Sequence, residues 1–168
     1  RKVNVIIKIR PKKILFSIVL VMLSIAAVYS EEVEVNTKAP EFNLMDLEGN
    51  NVSLKDYSGK AIALFFWATW CPYCQKETPR LIKLKQEFPD KLEILAINYK
   101  ESIGRVKNFS LKYGINYKIL LDKNGEVFRL YNIIGVPGVI ILDREGFIQF
   151  IGSELPKNYG EIFEKLLM

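Results

Sequence analysis

The spacing of hydrophobic and polar residues changes repeatedly along the chain, and these changes predict alternating strands and helices. Short strand-like runs at 42–45 and 51–54 flank the turn sequence LEGN, which predicts an N-terminal β-hairpin. Residues 61–67 (AIALFFW) are continuously apolar, as is typical of a parallel strand buried on both faces, and residues 92–98 predict a second buried strand. Apolar side chains at helical spacing over 72–88 predict a helix between these two strands.

The second half of the chain continues this alternation. The predicted elements are a helix over 106–113, a strand over 117–121, a short helix over 126–131, strands over 138–142 and 147–151, and a final helix over 159–168. The turn sequence DREG joins the last two strands as a hairpin. A parallel β-α-β unit followed by a hairpin predicts an α/β fold in which helices flank a central mixed β-sheet.

The first 30 residues have the composition of an export segment. A basic region is followed by an apolar run of 16 residues over 14–29 and then by acidic residues. This order is typical of a signal peptide or a membrane anchor whose positive end stays in the cytoplasm. We therefore predict a signal peptide or membrane anchor over 1–30, a linker over 31–38 and a single domain over 39–168.

The net charge of +5 comes from this N-terminal segment. Of the 24 lysines and arginines, six lie within 1–30, which contains no acidic residue. The other 18 face 19 acidic residues over 31–168, so the rest of the chain is close to neutral. It has no general electrostatic basis for binding nucleic acid. Export would place it outside the cytoplasm, where disulfides persist.

The two cysteines, Cys71 and Cys74, lie in the stretch FFWATWCPYCQKETP. A structural disulfide here would close a very small loop and add little stability. Zinc needs about four ligands, and the chain has no histidine and no third cysteine. Haem attachment requires a histidine directly after the second cysteine, where Gln75 stands. Copper(I) held by two thiolates remains chemically possible.

Thiol–disulfide exchange fits the position of the two cysteines better. They directly follow a predicted buried strand and open a helix, with Cys71 near its N-cap and Pro72 in its first turn, where proline is favoured. Free backbone N–H groups and the helix dipole would stabilise a thiolate at Cys71 and lower its pKa. We expect Cys71 to be the exposed nucleophile and Cys74 to be the less exposed cysteine that resolves the mixed disulfide.

Three stretches of the chain resemble one family in the expected order. WATWCPYC resembles the active site of a thioredoxin-fold oxidoreductase, and residues 39–60 resemble the N-terminal extension of exported redoxins of the TlpA and ResA type. Residues 135–148, GVPGVIILDREGFI, resemble their proline loop and final hairpin. The resemblance implies a thioredoxin fold with an N-terminal β-hairpin extension. It also implies a thiol–disulfide oxidoreductase that needs no bound cofactor or metal.

The resemblance assigns roles to individual residues. Pro137 matches the cis-proline that faces the active disulfide, and Val136 would offer backbone groups to a substrate peptide. On the sequence alone, Pro137 could equally be an ordinary turn proline. Glu77 matches an active-site glutamate that accepts the Cys74 proton or raises the cysteine pKa values, although a solvated helix glutamate would give the same pattern.

The resemblance also implies the substrate contacts and the partners. Trp70, Pro72 and Tyr73 are expected to contact the substrate. The expected partners are exported proteins with disulfides or thiols, among which apocytochrome c is a candidate, a membrane electron donor, and the membrane itself through the N-terminal segment. No nucleic acid is expected. The expected location is extracytoplasmic, in the periplasm or on the outer face of the cytoplasmic membrane.

Several positions depart from related patterns. Phe65 stands where thioredoxins carry a buried aspartate, which leaves Glu77 as the only nearby candidate for that role. Pro-Tyr between the cysteines is the glutaredoxin dipeptide, and Gly138 replaces a frequent threonine. A peroxiredoxin is the main rival within the fold, but its pattern P-x-x-x-T/S-x-x-C falls on Leu64 and Ala68 and is not met. A redox-inactive copper- or protein-binding module is the rival from another class.

Overall fold

Seven strands and four α-helices occur within residues 33–168, the part of the chain that this computed structural model describes. The strands are β1 (Asn43–Asp46), β2 (Asn51–Ser53), β3 (Ala61–Trp67), β4 (Leu92–Tyr99), β5 (Lys118–Asp122), β6 (Gly138–Leu142) and β7 (Ile148–Gly152). The helices are α1 (Pro72–Glu87), α2 (Ile103–Tyr113), α3 (Glu126–Leu130) and α4 (Tyr159–Leu167). None of these helices has the length and apolar character needed to cross a bilayer, and the predicted export segment 1–30 lies outside the described residues.

These strands form one mixed sheet with the order β2-β1-β5-β4-β3-β6-β7. β4 is parallel to both β3 and β5, whereas β6 runs antiparallel to β3 and to β7. On the opposite side β1 is antiparallel to both β2 and β5, so residues 43–53 form a hairpin that extends the sheet. The predicted α/β fold with a central mixed sheet and flanking helices is confirmed.

The continuous apolar run of β3 results from burial of both its faces. Side chains alternate between the two faces of a strand. Phe65 and Trp67 belong to a core that also includes residues of α1, α2 and α4. Leu64 and Phe66 belong to a second core, which includes residues of α3 and of the segment before β3. No residue of β3 is more than 3% exposed.

Several predicted elements differ from the observed ones at their ends. α2 begins at Ile103, three residues earlier than predicted, after the N-cap residue Ser102. Glycine and arginine in its first turn interrupt the apolar pattern, which is why the sequence alone placed the start too late. The helix ends at Gly114 as predicted, since this glycine adopts the left-handed conformation (φ 61°) that commonly ends a helix.

A buried carboxylate attaches the hairpin to the rest of the sheet. Asp46 is 1% exposed and accepts hydrogen bonds from the Asn50 backbone at 2.8 Å, from the Asn50 amide at 3.1 Å and from Lys118 Nζ at 3.1 Å. Burial alone would raise the pKa of Asp46, but these hydrogen bonds outweigh it and hold the pKa well below its ordinary value. The ionised form of Asp46 therefore stabilises the contact between β1 and β5.

Candidate active site

The sheet brings the cysteines and the proline loop to the same edge. β3 leads directly into the loop that carries Cys71, and β6 begins directly after Pro137. β3 and β6 are antiparallel neighbours in which Phe66 lies opposite Gly138. The carboxyl end of β3 therefore lies beside the amino end of β6. Two segments that are more than 60 residues apart in sequence meet here because of strand pairing.

The two cysteines form a disulfide at the N-terminus of α1. Their Cα atoms are 5.2 Å apart. Cys71 is the N-cap residue, and its Sγ accepts a hydrogen bond from the Cys74 N–H at 3.1 Å. Pro72 follows at the start of the helix, where its missing N–H removes no helical hydrogen bond. The predicted placement of Cys71 at the helix N-cap is confirmed.

Cys71 is more buried than predicted, whereas Cys74 is the less exposed cysteine, as expected. Cys71 is only 2% exposed and Cys74 is fully buried, so the expectation of an exposed Cys71 is wrong for this disulfide form. The disulfide lies in the core beneath α1, with the partly buried Val136 packed against that core. The exposed side chains next to it are Trp70, at 59%, and Tyr73, at 67%. The surface beside the disulfide therefore presents aromatic rings and little of the cysteines.

A cavity of about 640 Å³ lies beside α1 and the proline loop. Its walls combine residues of α1, the loop before β6 and the loop after β7: Tyr73, Lys76, Glu77, Ile134, Gly135, Val136, Pro137, Ser153 and Glu154. The structure thus brings together four of the predicted site residues. The other four, Trp70, Pro72 and the two cysteines, are not among the lining residues.

The proline loop has the geometry that the resemblance implied. The peptide bond between Val136 and Pro137 is cis, so Pro137 is not an ordinary trans turn proline. Within residues 33–168 the backbone N–H and C=O of Val136 form no hydrogen bond. Val136 and Pro137 both line the cavity.

Glu77 is a buried, paired carboxylate. It is 5% exposed, and its two oxygens accept hydrogen bonds from Arg80 Nη1 at 2.8 and 3.0 Å. One of them also accepts the Leu155 N–H at 3.2 Å. The alternative of a solvated helix glutamate is therefore wrong. Arg80 in turn donates to the carbonyl oxygens of Leu155 and Pro156, so the pair ties α1 to the segment that precedes α4.

Sequence reasoning missed a second buried carboxylate at this edge of the sheet. Phe65 is fully buried in the core that contains the cysteines and supplies no charge, as expected. Glu77, however, is not the only candidate near the loop, because Glu101 binds Thr69 two residues before Cys71. The strand topology could have identified Glu101. It follows β4, which is parallel to β3, and functional sites in folds of this kind lie at the carboxyl ends of the parallel strands.

The disulfide also bears on metal binding. In this form the two sulfurs are bonded to each other and present no thiolate pair to copper(I). Among residues 33–168, no group of three or more histidine, cysteine, aspartate or glutamate side chains is arranged to hold a metal ion.

A Cys-x-x-Cys disulfide lies at the start of the helix that follows a buried strand, and a cis-proline directly precedes the neighbouring strand. This combination defines a thiol–disulfide oxidoreductase of the thioredoxin fold. The chain belongs to the AhpC/TSA family, whose family model matches residues 35–151.

Relatives and solved structures agree with this class. The chain is 33% identical, over 93% of its length and 97% of the relative's, to the thiol–disulfide oxidoreductase ResA of Bacillus thuringiensis subsp. konkukian. It is 38% identical, over 83% of its length and 89% of the relative's, to the thioredoxin-like protein YneN of Bacillus subtilis. The thioredoxin domain of a thiol–disulfide oxidoreductase from Bacteroides vulgatus superposes with a TM-score of 0.74 at 28% identity, covering 82% of this chain and all of that domain. The predicted resemblance to redoxins of the TlpA and ResA type is confirmed.

Proposed function

We propose that this protein acts outside the cytoplasm and reduces disulfides of exported proteins through Cys71 and Cys74. The observation that carries this proposal is the placement of the Cys71 sulfur at the N-terminus of α1, where it accepts the Cys74 N–H. The same N–H and the helix dipole favour negative charge on that sulfur once the disulfide is reduced. Cys71 is thus suited to be the attacking thiolate.

The reaction follows from this assignment. In the reduced protein, the Cys71 thiolate attacks one sulfur of a substrate disulfide, which breaks the substrate S–S bond and releases one substrate thiolate. The Cys74 thiolate then attacks Cys71 Sγ in the mixed disulfide. This step releases the second substrate thiolate and forms the Cys71–Cys74 disulfide. Two electrons pass to the substrate, and a dithiol donor at the membrane returns the protein to its reduced form.

Glu77 is proposed to accept the Cys74 proton during the second step. It lies one helical turn after Cys74, so the two side chains share a face of α1. The contact with Arg80 keeps Glu77 in place while Cys74 changes its partner.

The cavity beside α1 is proposed to hold the substrate segment. The unpaired backbone groups of Val136 would pair with an extended chain, and Pro137 would align the substrate sulfur with Cys71. Tyr73 and Trp70, both largely exposed, would cover apolar parts of the substrate. Pro72 lies at the exposed start of α1 between them.

The location and the partners are proposed from the N-terminal composition and from the family. A basic, apolar and acidic succession over 1–30 supports export with tethering to the membrane. The clients would then be exported proteins with disulfides or thiols, and apocytochrome c is a candidate because its cysteines must be reduced before haem attachment. The electron donor would be a membrane protein on the same side.

Peroxide reduction is the alternative that the AhpC/TSA family name raises. A peroxidatic cysteine resembles P-x-x-x-T/S-x-x-C, and the matching positions here are Leu64 and Ala68. Both side chains are apolar and fully buried, so neither could bind or polarise a peroxide. Disulfide exchange is therefore favoured over peroxide reduction.

Insulin reduction tests the proposed chemistry. We expect Cys71→Ser to abolish the turnover of insulin disulfides, and Cys74→Ser to accumulate mixed disulfides because the resolving thiol is lost. Turnover that persists in Cys71→Ser would contradict the mechanism.

The direction of electron flow is tested by equilibration with glutathione buffers: a reduction potential near or below about −250 mV supports a reductase, whereas a value near about −120 mV indicates an oxidant.

A further inference from the structure

We propose that Glu101 is a positioning residue that holds the active-site loop, through Thr69, in the conformation from which Cys71 exchanges disulfides. The inference rests on the role proposed above for Cys71. Glu101 does not contact the cysteines in any hydrogen bond of the described residues, so its action passes through the backbone of the loop.

The contact between Glu101 and Thr69 has two arms. The Thr69 N–H donates to Glu101 Oε2 at 2.7 Å, and the Thr69 hydroxyl donates to Glu101 Oε1 at 2.6 Å. Bonds to an ionised acceptor are shorter and stronger than neutral ones, and two of them fix orientation as well as distance. Thr69 is therefore held by backbone and side chain at once.

The carboxylate itself is fixed by its surroundings. The Glu101 side chain is 4% exposed, and the Asn98 amide donates to Oε2 at 2.9 Å. Arg105 is the nearest cation, but it lies 3.7 Å away and is two-thirds exposed. Thr69 and Asn98 thus donate the hydrogen bonds that stabilise this buried carboxylate. A buried charge so dependent on two neighbours keeps them in place, because releasing either one leaves it unsatisfied.

A second contact holds Thr69 from the side of the helices. The Gln75 amide of α1 donates to the Thr69 carbonyl oxygen at 3.0 Å. The Tyr113 hydroxyl of α2 donates to the same Gln75 side chain at 3.2 Å. All three polar groups that Thr69 offers are therefore engaged. The loop is fixed between β4 on one side and two helices on the other.

The position of Cys71 depends on this loop. The Cys71 N–H donates to the Ala68 carbonyl oxygen at 3.2 Å, so Thr69 lies within the turn that presents the cysteine. Attack on a disulfide requires the attacking, central and leaving sulfurs to lie in a line. A misplacement of about 1 Å at a reacting group lowers the rate by up to about a hundredfold. A loop that loses its contact with Glu101 would present Cys71 less accurately.

Three substitutions at one position separate geometry from charge. Glu101→Gln removes the charge but keeps the contacts, since its amide oxygen accepts the Thr69 N–H and the Asn98 amide while its NH₂ group donates to the Thr69 hydroxyl. Glu101→Asp keeps the charge but is one methylene too short to reach Thr69. Glu101→Ala removes both. The measured quantity is the rate of exchange between the reduced protein and insulin, as a function of pH.

We expect the plateau of the pH profile to fall about tenfold or more in Glu101→Ala and Glu101→Asp, and to stay within about threefold of the wild type in Glu101→Gln. Asp46→Ala is the matched control, because it removes a buried, hydrogen-bonded carboxylate from the far side of the sheet. It is expected to lower stability and leave the exchange rate of the folded protein unchanged. All rates are taken at temperatures where circular dichroism shows each variant to be folded.

Two outcomes would overturn the inference. Wild-type plateaus in both Glu101→Ala and Glu101→Asp would show that the loop needs no such contact. A loss in Glu101→Gln as large as in Glu101→Ala would show that the charge acts and not the contact. Both outcomes differ from a failure of the proposed function, in which the wild-type protein itself would not reduce insulin.

Discussion

The ion pair between Glu77 and Arg80 gives a prediction whose size follows from the structure. Replacing Arg80 with methionine keeps the unbranched aliphatic stem but removes the guanidinium. Glu77, with a side chain 7% exposed, would then lose two hydrogen bonds at 2.8 and 3.0 Å and keep only the Leu155 N–H. The carbonyl oxygens of Leu155 and Pro156 would lose a donor at the same time.

The expected cost is intermediate between those of a buried and an exposed pair. Removing one partner of a fully buried pair costs about 3–5 kcal/mol, whereas exposed pairs contribute about 0–1 kcal/mol. The Arg80 side chain is 32% exposed, so water screens part of the interaction. We expect Arg80→Met to lower the free energy of unfolding by about 2 kcal/mol, which is about a thirtyfold change in the folding equilibrium.

Lys83→Met on the same helix is the matched control. Its partner Glu87 lies 3.6 Å away, and the two side chains are 69% and 37% exposed. A pair of this kind at i and i+4 contributes about 0.3–0.5 kcal/mol. The assay is urea unfolding of the oxidised protein, followed by tryptophan fluorescence, in which about 2 kcal/mol shifts the midpoint by about 1 M. Equal midpoints for the two variants would refute the view that Glu77 needs Arg80 in order to stay buried.

Two further predictions concern stability away from the cysteines. Because the pKa of Asp46 is lowered in the folded protein, its contribution to stability is complete above the pKa of an unfolded aspartate, about 3.9, and is lost as the pH falls below that value. Below about pH 4, the free energy of unfolding should therefore fall less steeply with decreasing pH in Asp46→Asn than in the wild type, and equal slopes would contradict this. Gly125 has φ 68°, and a Cβ added there would lie only 3.0 Å from a ring carbon of Tyr99. Gly125→Ala should therefore lower the free energy of unfolding by about 1 kcal/mol or more. Gly104→Ala, in open space in the first turn of α2, should instead be neutral or stabilising in the same thermal unfolding experiment.

The sequence was informative where a side-chain pattern reflects a single local cause. The run 61–67 identified β3 because both faces of that strand are buried, and the pair Cys71 and Cys74 identified the site because the cysteines follow that strand directly. The cis bond before Pro137 was correctly expected from the family resemblance, since the sequence alone does not distinguish it from a turn proline.

What the sequence did not reveal depends on distant parts of the chain. The burial of Cys71 results from packing within a core that includes residues of three helices, and no local pattern reports it. In the sequence, Glu77 resembles any polar residue on a helix. Only the folded structure shows that it is hydrogen-bonded to Arg80 and to the Leu155 N–H. Glu101 lies 32 residues from Thr69, so only the pairing of β3 with β4 brings them together. Site residues of this kind become predictable once the strand order is known.

The burial of the disulfide has a consequence for selectivity among reductants. A cysteine that is only 2% exposed is poorly accessible to small thiols that diffuse in the surrounding medium. Exposed Trp70, Tyr73 and Ile134 offer a surface on which a larger partner can stay long enough for its sulfur to enter. Electrons would then pass mainly within docked protein pairs. Such a protein reacts slowly with small thiols in solution and exchanges electrons mainly with proteins that fit the surface beside its disulfide.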